Sequence, residues 1–198
     1  MIVTTREDNS TMKKLLTLFG AITLLGTSAT SLVGCNKTEQ EYTPNELKKL
    51  KQKKKIDTTD KNIKDNLEWI APQEEPFNII DNHNHYFYVV WRGVKIGGTD
   101  EDVRVEYGIW RIIKFKYNYS SPLILDTDIF GNSLSLELKE NKIYLGIKPN
   151  GYDYIFNHWI SSDYTYKKNI KEVYRWNLET KEPNLVIDND GNIKVNEG

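Results

Sequence analysis

The feature that most constrains the fold is an internal repetition. Residues 62–82, NIKDNLEWIAPQEEPFNIIDN, align without a gap on residues 169–189, NIKEVYRWNLETKEPNLVIDN. Asn62, Ile63, Lys64, Trp69, Glu75, Pro76, Ile80, Asp81 and Asn82 recur as Asn169, Ile170, Lys171, Trp176, Glu182, Pro183, Ile187, Asp188 and Asn189. A shorter echo, WRIIKFKYNYSSPLILDTD at 110–128, shares the aromatic start and the ending of proline, apolar residues and aspartate, at Pro122 and Asp126. A recurring unit of this size does not bury its apolar face alone, so neighbouring copies are expected to complete one core.

The residues inside these units favour strands. HYFYVVWRG (85–93), EYGIWRIIKFK (106–116), LSLELKE (134–140), KIYLGIK (142–148), YDYIFNHWI (152–160) and EVYRWNL (172–178) are rich in aromatic and β-branched side chains, which suit a pleated, half-buried surface. Asn150-Gly151 and Asp190-Gly191 are hairpin dipeptides, and Gly97-Gly98 is expected to open a looser, acidic loop. The expected domain, 62–198, is therefore all-β. It is an antiparallel meander of about three blade-like repeats, too few to close a propeller ring. A small open sheet or sandwich is preferred over a short solenoid or a shortened relative of a longer repeat protein.

The N-terminus has a different character. From Met12 the chain runs MKKLLTLFGAITLLGTSATSLVGC: two lysines, an apolar stretch, then small residues before Cys35, the only cysteine. This is the layout of a secretory signal. Leu32-Val33-Gly34-Cys35 resembles the lipobox of bacterial lipoproteins. That resemblance implies a diacylglycerol on Cys35, with cleavage of 12–34 just before it. The alternative is an uncut membrane anchor, which needs about 20 mostly apolar residues; Ser and Thr accumulate toward the end of the stretch. Residues 1–11, MIVTTREDNST, are polar and precede the n-region. Translation is expected to start at Met12, so that 1–11 is a non-native extension.

Residues 35–61 form a lysine-rich stalk. Thr43, Pro44 and Glu46 start a helix as cap, first residue and capping-box partner. Leu47 and Leu50 are its only apolar residues, so a short exposed helix in a tether is expected. Its lysines serve either as a solvated spacer, the favoured reading, or as a patch on anionic lipid.

The formal net charge of −1 gives no support for nucleic-acid binding. With Cys35 lipidated no disulfide is possible. The signal, APQEEPFN, YFYVVWRG, WRIIKFK and the ending VYRWNLETKEPNLVIDNDGNIKVN are similar to surface lipoproteins of spiroplasmas and related mollicutes. The resemblance implies a single plasma membrane, an outward-facing lipoprotein and an association with host contact. It brings no catalytic residues.

Other chemistry is sparse. His83 and His85 would share one strand face with Asp81, but a closed metal site needs more ligands and the remaining histidine is His158. DNDGN at 188–192 and Asp126-Thr127-Asp128 suggest calcium loops, yet the spacing departs from an EF-hand, and a hairpin turn explains DNDGN. GxSxG, P-loop and HExxH motifs are missing. Neither catalysis nor a cofactor is expected. The candidate ligand contacts are Trp91, Trp159, Tyr117 and Tyr119, as rings for a host protein or glycan; core packing is the competing role for each. The sequence therefore leads to a lipid-anchored surface protein with a binding domain, or to a passive coat lipoprotein.

Overall fold

The computed structural model describes residues 42–74, 77, 85–99, 102–116, 123–140, 142–152, 155–159 and 168–196. The expected signal, the residues read as a lipobox, Leu32, Val33, Gly34 and Cys35, and Tyr117 and Tyr119 lie outside the described residues. Residues 37–198 form one compact unit. In chain order its strands are β1 (Leu67–Trp69), β2 (Tyr86–Trp91), β3 (Val94–Thr99), β4 (Asp102–Tyr107), β5 (Arg111–Lys116) and β6 (Leu123–Thr127). They continue with β7 (Ser133–Lys139), β8 (Lys142–Lys148), β9 (Asn157–His158), β10 (Ile170–Trp176), β11 (Leu185–Ile187) and β12 (Ile193–Val195). Among the described residues all pairings are antiparallel, so the fold is all-β as expected.

The meander holds for only one of the two large sheets. β6-β7-β8-β9 follow in chain order, whereas the main sheet has the order β1-β10-β2-β5. The late strand β10 sits centrally because it is apolar on both faces, with Ile170, Val173, Tyr174 and Trp176 all buried. A strand that needs cover above and below is stable only inside a layered sheet, with both edges paired.

β2 shows the layering. Its run YFYVVW is buried from Phe87 to Trp91. Phe87, Val89 and Trp91 enter a core shared with Leu134 and Leu136 of β7 and Ile143, Leu145 and Ile147 of β8. Tyr88 joins Leu67, Trp69, Tyr174 and Trp176 in a second core on the opposite face, closed by Ile56, Ile63 and Leu185. The main sheet is thus a middle layer.

Two helices contribute to the outer layer. Helix α1 (Pro44–Lys53) starts at Thr43 through the predicted capping box. It does not stand off as a spacer. Leu47 and Leu50 pack against the second core, Lys51 bridges Glu68 and Glu74 at 2.5 Å each, and Tyr174 donates its hydroxyl to the Lys54 carbonyl at 2.9 Å. The expected boundary at 62 therefore divides residues that pack together. Two leucines suffice because the lysine stems and ion pairs between them extend the contact. Helix α2 (Lys61–Asn66), capped by Asp60, occupies a stretch expected to open a β unit.

The repetition has a limited structural counterpart. The alignment matches Leu67, Glu68 and Trp69 with Tyr174, Arg175 and Trp176. In the sheet these segments face each other, with Leu67 opposite Trp176, Glu68 opposite Arg175 and Trp69 opposite Tyr174. At the centre of this pairing Glu68 and Arg175 form an ion pair 2.9 Å long. Upstream the copies diverge: Asn62–Lys64 are helical and Ile170–Lys171 extended.

A second correspondence lies in two turns, Asp128–Asn132 and Asp188–Asn192, each Asp-x-x-Gly-Asn. In each, the Asp Oδ1 accepts from the backbone N–H two and four residues on, its Oδ2 accepts from the Asn side chain, and the Gly has positive φ. The structural match to Asp188 is therefore Asp128, not Asp126.

Candidate binding cleft

β2 and β5 continue past the main sheet as the β3–β4 hairpin. The bend is at Gly93 and Gly108, where Gly108 N–H donates to the Gly93 carbonyl at 3.0 Å. A side chain at Gly93 would collide with the Asp128 carboxylate. Gly97 and Gly98 belong to β3 and do not form the expected loop. Val94 opposite Tyr107 and Ile96 opposite Val105 share one face of the arm, while Lys95 opposite Glu106 lies on the other. Ile96, Val105 and Tyr107 remain 43–45% exposed.

Below the apolar face lies a cleft of about 740 Å³, walled by Ile96, Ile129, Phe130, Pro149, Tyr152 and Ile155. Its floor is a side-chain amide network. Asn132, 5% exposed, donates Nδ2 to the Val94 carbonyl at 2.7 Å and to Asp128 Oδ2 at 2.8 Å. Its Oδ1 accepts the Asn150 backbone N–H at 3.1 Å, and Asn150 Nδ2 donates to the Phe130 carbonyl at 2.9 Å. Three chain segments are thereby locked around the floor. The rim is apolar and open: Ile129 is 82% and Tyr152 51% exposed. Ile109, 78% exposed, stands beside Ile129 around a neighbouring hollow. Clustered exposed apolar side chains over a rigid polar floor suit binding of a partly apolar partner.

The rings singled out from the sequence are elsewhere. Trp91 is fully buried and donates Nε1 to Asp126 Oδ2 at 2.9 Å; Arg111 pairs with the other oxygen of that carboxylate at 2.6 Å. Trp159 is 8% exposed in the same core. Neither presents a face to a ligand, because strands flanking the core need large apolar side chains there.

His83 and Asp81 lie outside the described residues. His85 places Nδ1 3.0 Å from the Trp176 carbonyl. His158 lies edge-on to Tyr144 and Phe156, where burial lowers its pKa. The Asp188 carboxylate is occupied by its own turn, whose N–H donors hold its pKa down at about 2. Among the described residues no group of three or more His, Cys, Asp or Glu is placed to hold a metal ion.

The cleft residues escaped the sequence reading, although a signal existed. Ile129 and Phe130 put two large apolar side chains inside an Asp-x-x-Gly-Asn turn, and that turn motif occurs twice. Comparison of the chain with protein-family models, with curated proteins and with solved structures finds no match.

Proposed function

We propose that this chain is an exported lipoprotein, acylated on Cys35, that holds a β-rich binding domain at the outer face of a plasma membrane and contacts host protein or glycan there. The observation that carries the anchor is Leu32-Val33-Gly34-Cys35 at the end of a charged-then-apolar segment, with Cys35 the only cysteine. Diacylglycerol supplies two acyl chains, which anchor stably where one does not. The resemblance to mollicute surface lipoproteins supports the same location.

The binding role rests on the exposed apolar rim of Ile96, Ile129 and Tyr152. It is display and recognition, not catalysis. The finer reading of the fold, about three blade-like repeats, is supported by the two matching turns and by the pairing of the aligned segments in β1 and β10. A passive coat lipoprotein is the second reading, favoured by the burial of Trp91 and Trp159.

Two measurements test this. Cys35→Ala should move the full chain from the detergent phase to the aqueous phase; unchanged partitioning defeats the anchor. The chain should bind saturably on glycan arrays or host membrane extracts, and Ile129→Asp should abolish that binding. Absence of saturable binding leaves the coat reading in place.

A further inference from the structure

The lysines around α1 divide into two sets. Leu47, Leu50, Lys51 and Lys54 follow helical spacing and face the domain: the leucines join the second core, Lys51 pairs with Glu68 and Glu74, and Lys54 with Glu172. Lys48, Lys49 and Lys53 lie on the opposite face, Lys55 follows the helix end, and all four are exposed. Among the described residues none of the four takes part in an ion pair. The one acid of the helix, Glu46, is engaged by Thr43, whose backbone N–H and hydroxyl both donate to its carboxylate; Lys49, one turn on, exerts a weaker pull on it.

Docking turns these lysines from a flexible tether into a fixed cationic face. The start of the helix is itself tied down: Tyr42 N–H donates to Gln73 Oε1 at 2.7 Å, and Gln73 Nε2 to the Tyr42 carbonyl at 2.9 Å. An extended chain spans roughly 3.3–3.6 Å per residue, so Tyr42 stands no more than roughly 25 Å from Cys35. If Cys35 is acylated, as proposed above, this face is confined near the bilayer surface.

We propose that the Lys48, Lys49, Lys53 and Lys55 face seats on anionic lipid headgroups, so that the domain rests on the membrane. The chemistry favours a lipid surface over other polyanions. The face is a convex helix bearing flexible point charges, without the arginine forks or aromatic platforms that read bases or phosphopeptides. The inward lysines hold the helix to the domain and the outward ones hold the domain to the bilayer.

The test uses residues 35–198 carrying Cys35→Ser, which contain the whole compact unit and need no lipidation. The chain is sedimented with vesicles of phosphatidylcholine alone and of phosphatidylcholine with phosphatidylglycerol, three to one. Binding is expected to the anionic vesicles only, and to fade at high salt. Replacing all four lysines, Lys48→Gln, Lys49→Gln, Lys53→Gln and Lys55→Gln, should weaken it more than about tenfold. Lys95→Gln, on the β3–β4 arm, should not. Circular dichroism checks that the variants fold.

Failure to bind anionic vesicles, binding that survives the fourfold variant, or tighter binding to soluble polyphosphate than to vesicles would each overturn the proposal. Detergent partitioning of the full chain reports acylation separately. A chain that binds anionic vesicles but never partitions retains headgroup seating and loses the lipoprotein reading.

Discussion

Trp69 donates its indole N–H to Glu172, Nε1 to Oε2 at 2.6 Å, and the other oxygen of that carboxylate takes the Lys54 ammonium. Glu172 is 8% exposed, and a buried carboxylate is stable as an anion only when its oxygens are engaged. A lysine of the supposed stalk thus completes the polar network of the main sheet. Lys54→Met is expected to cost about 1–3 kcal/mol, the penalty of an uncompensated buried acceptor. Glu172→Gln should also cost stability, because an amide that accepts from Trp69 turns its NH2 donors toward the Lys54 ammonium. Urea unfolding measures both, and faster tryptic cleavage within α1 should accompany Lys54→Met.

Trp91 is a core residue, so its loss should be read in stability before binding. Trp91→Ala is expected to destabilise the domain by about 3–5 kcal/mol. Thermal unfolding of the variant measures this. A Trp91→Ala variant of normal stability that lost ligand binding would restore the contact role read from the sequence.

The turn glycines separate two costs. Gly191 has φ of 76°, and an added Cβ would lie 2.7 Å from Trp110 Cγ. Gly151 has φ of 78° and open space around it. Gly151→Ala should cost only the left-handed backbone penalty, about 1–2 kcal/mol. Gly191→Ala should cost more, because the Trp110 ring must also move. Parallel denaturant titrations of the two variants give the difference.

The Asp188 turn should make stability acid-sensitive. Its folded pKa, about 2, lies below the ordinary aspartate value because the N–H donors of the turn favour the carboxylate. The unfolded chain therefore binds this proton first as pH falls. The contribution is complete above about pH 4 and is lost as pH drops through the folded value. Carbon-detected titration of the Asp188 carboxyl should show a midpoint near that value, and Asp188→Ala should remove this part of the acid dependence of unfolding.

Much of the architecture was legible in local chemistry. The capping box at Thr43, the apolar run of β2, the alternation of β7 and the Asp190-Gly191 hairpin all depend on neighbours within a few residues. The order of the main sheet was not. Nothing local to β10 states that it lies between β1 and β2, because strand neighbours are chosen by burial on both faces. The docking of α1 was missed for a related reason. Lys51 and Lys54 read as solvated charge until Glu68, Glu74 and Glu172, far along the chain, are brought under them.

The candidate site divides the same way. Trp91 and Trp159 were singled out by ring chemistry, but exposure decides whether a ring meets a ligand, and exposure is a property of the assembled layers. Ile96, Ile129 and Tyr152 come from three separate segments and become a cleft only where Asn132 and Asn150 tie those segments together. The sequence by itself determined the all-β class and the helix start, since each is set by residue types at short spacing. Only the tertiary structure decided which tryptophans are core, which lysines face inward and where apolar surface stays open, because long-range packing and desolvation set all three.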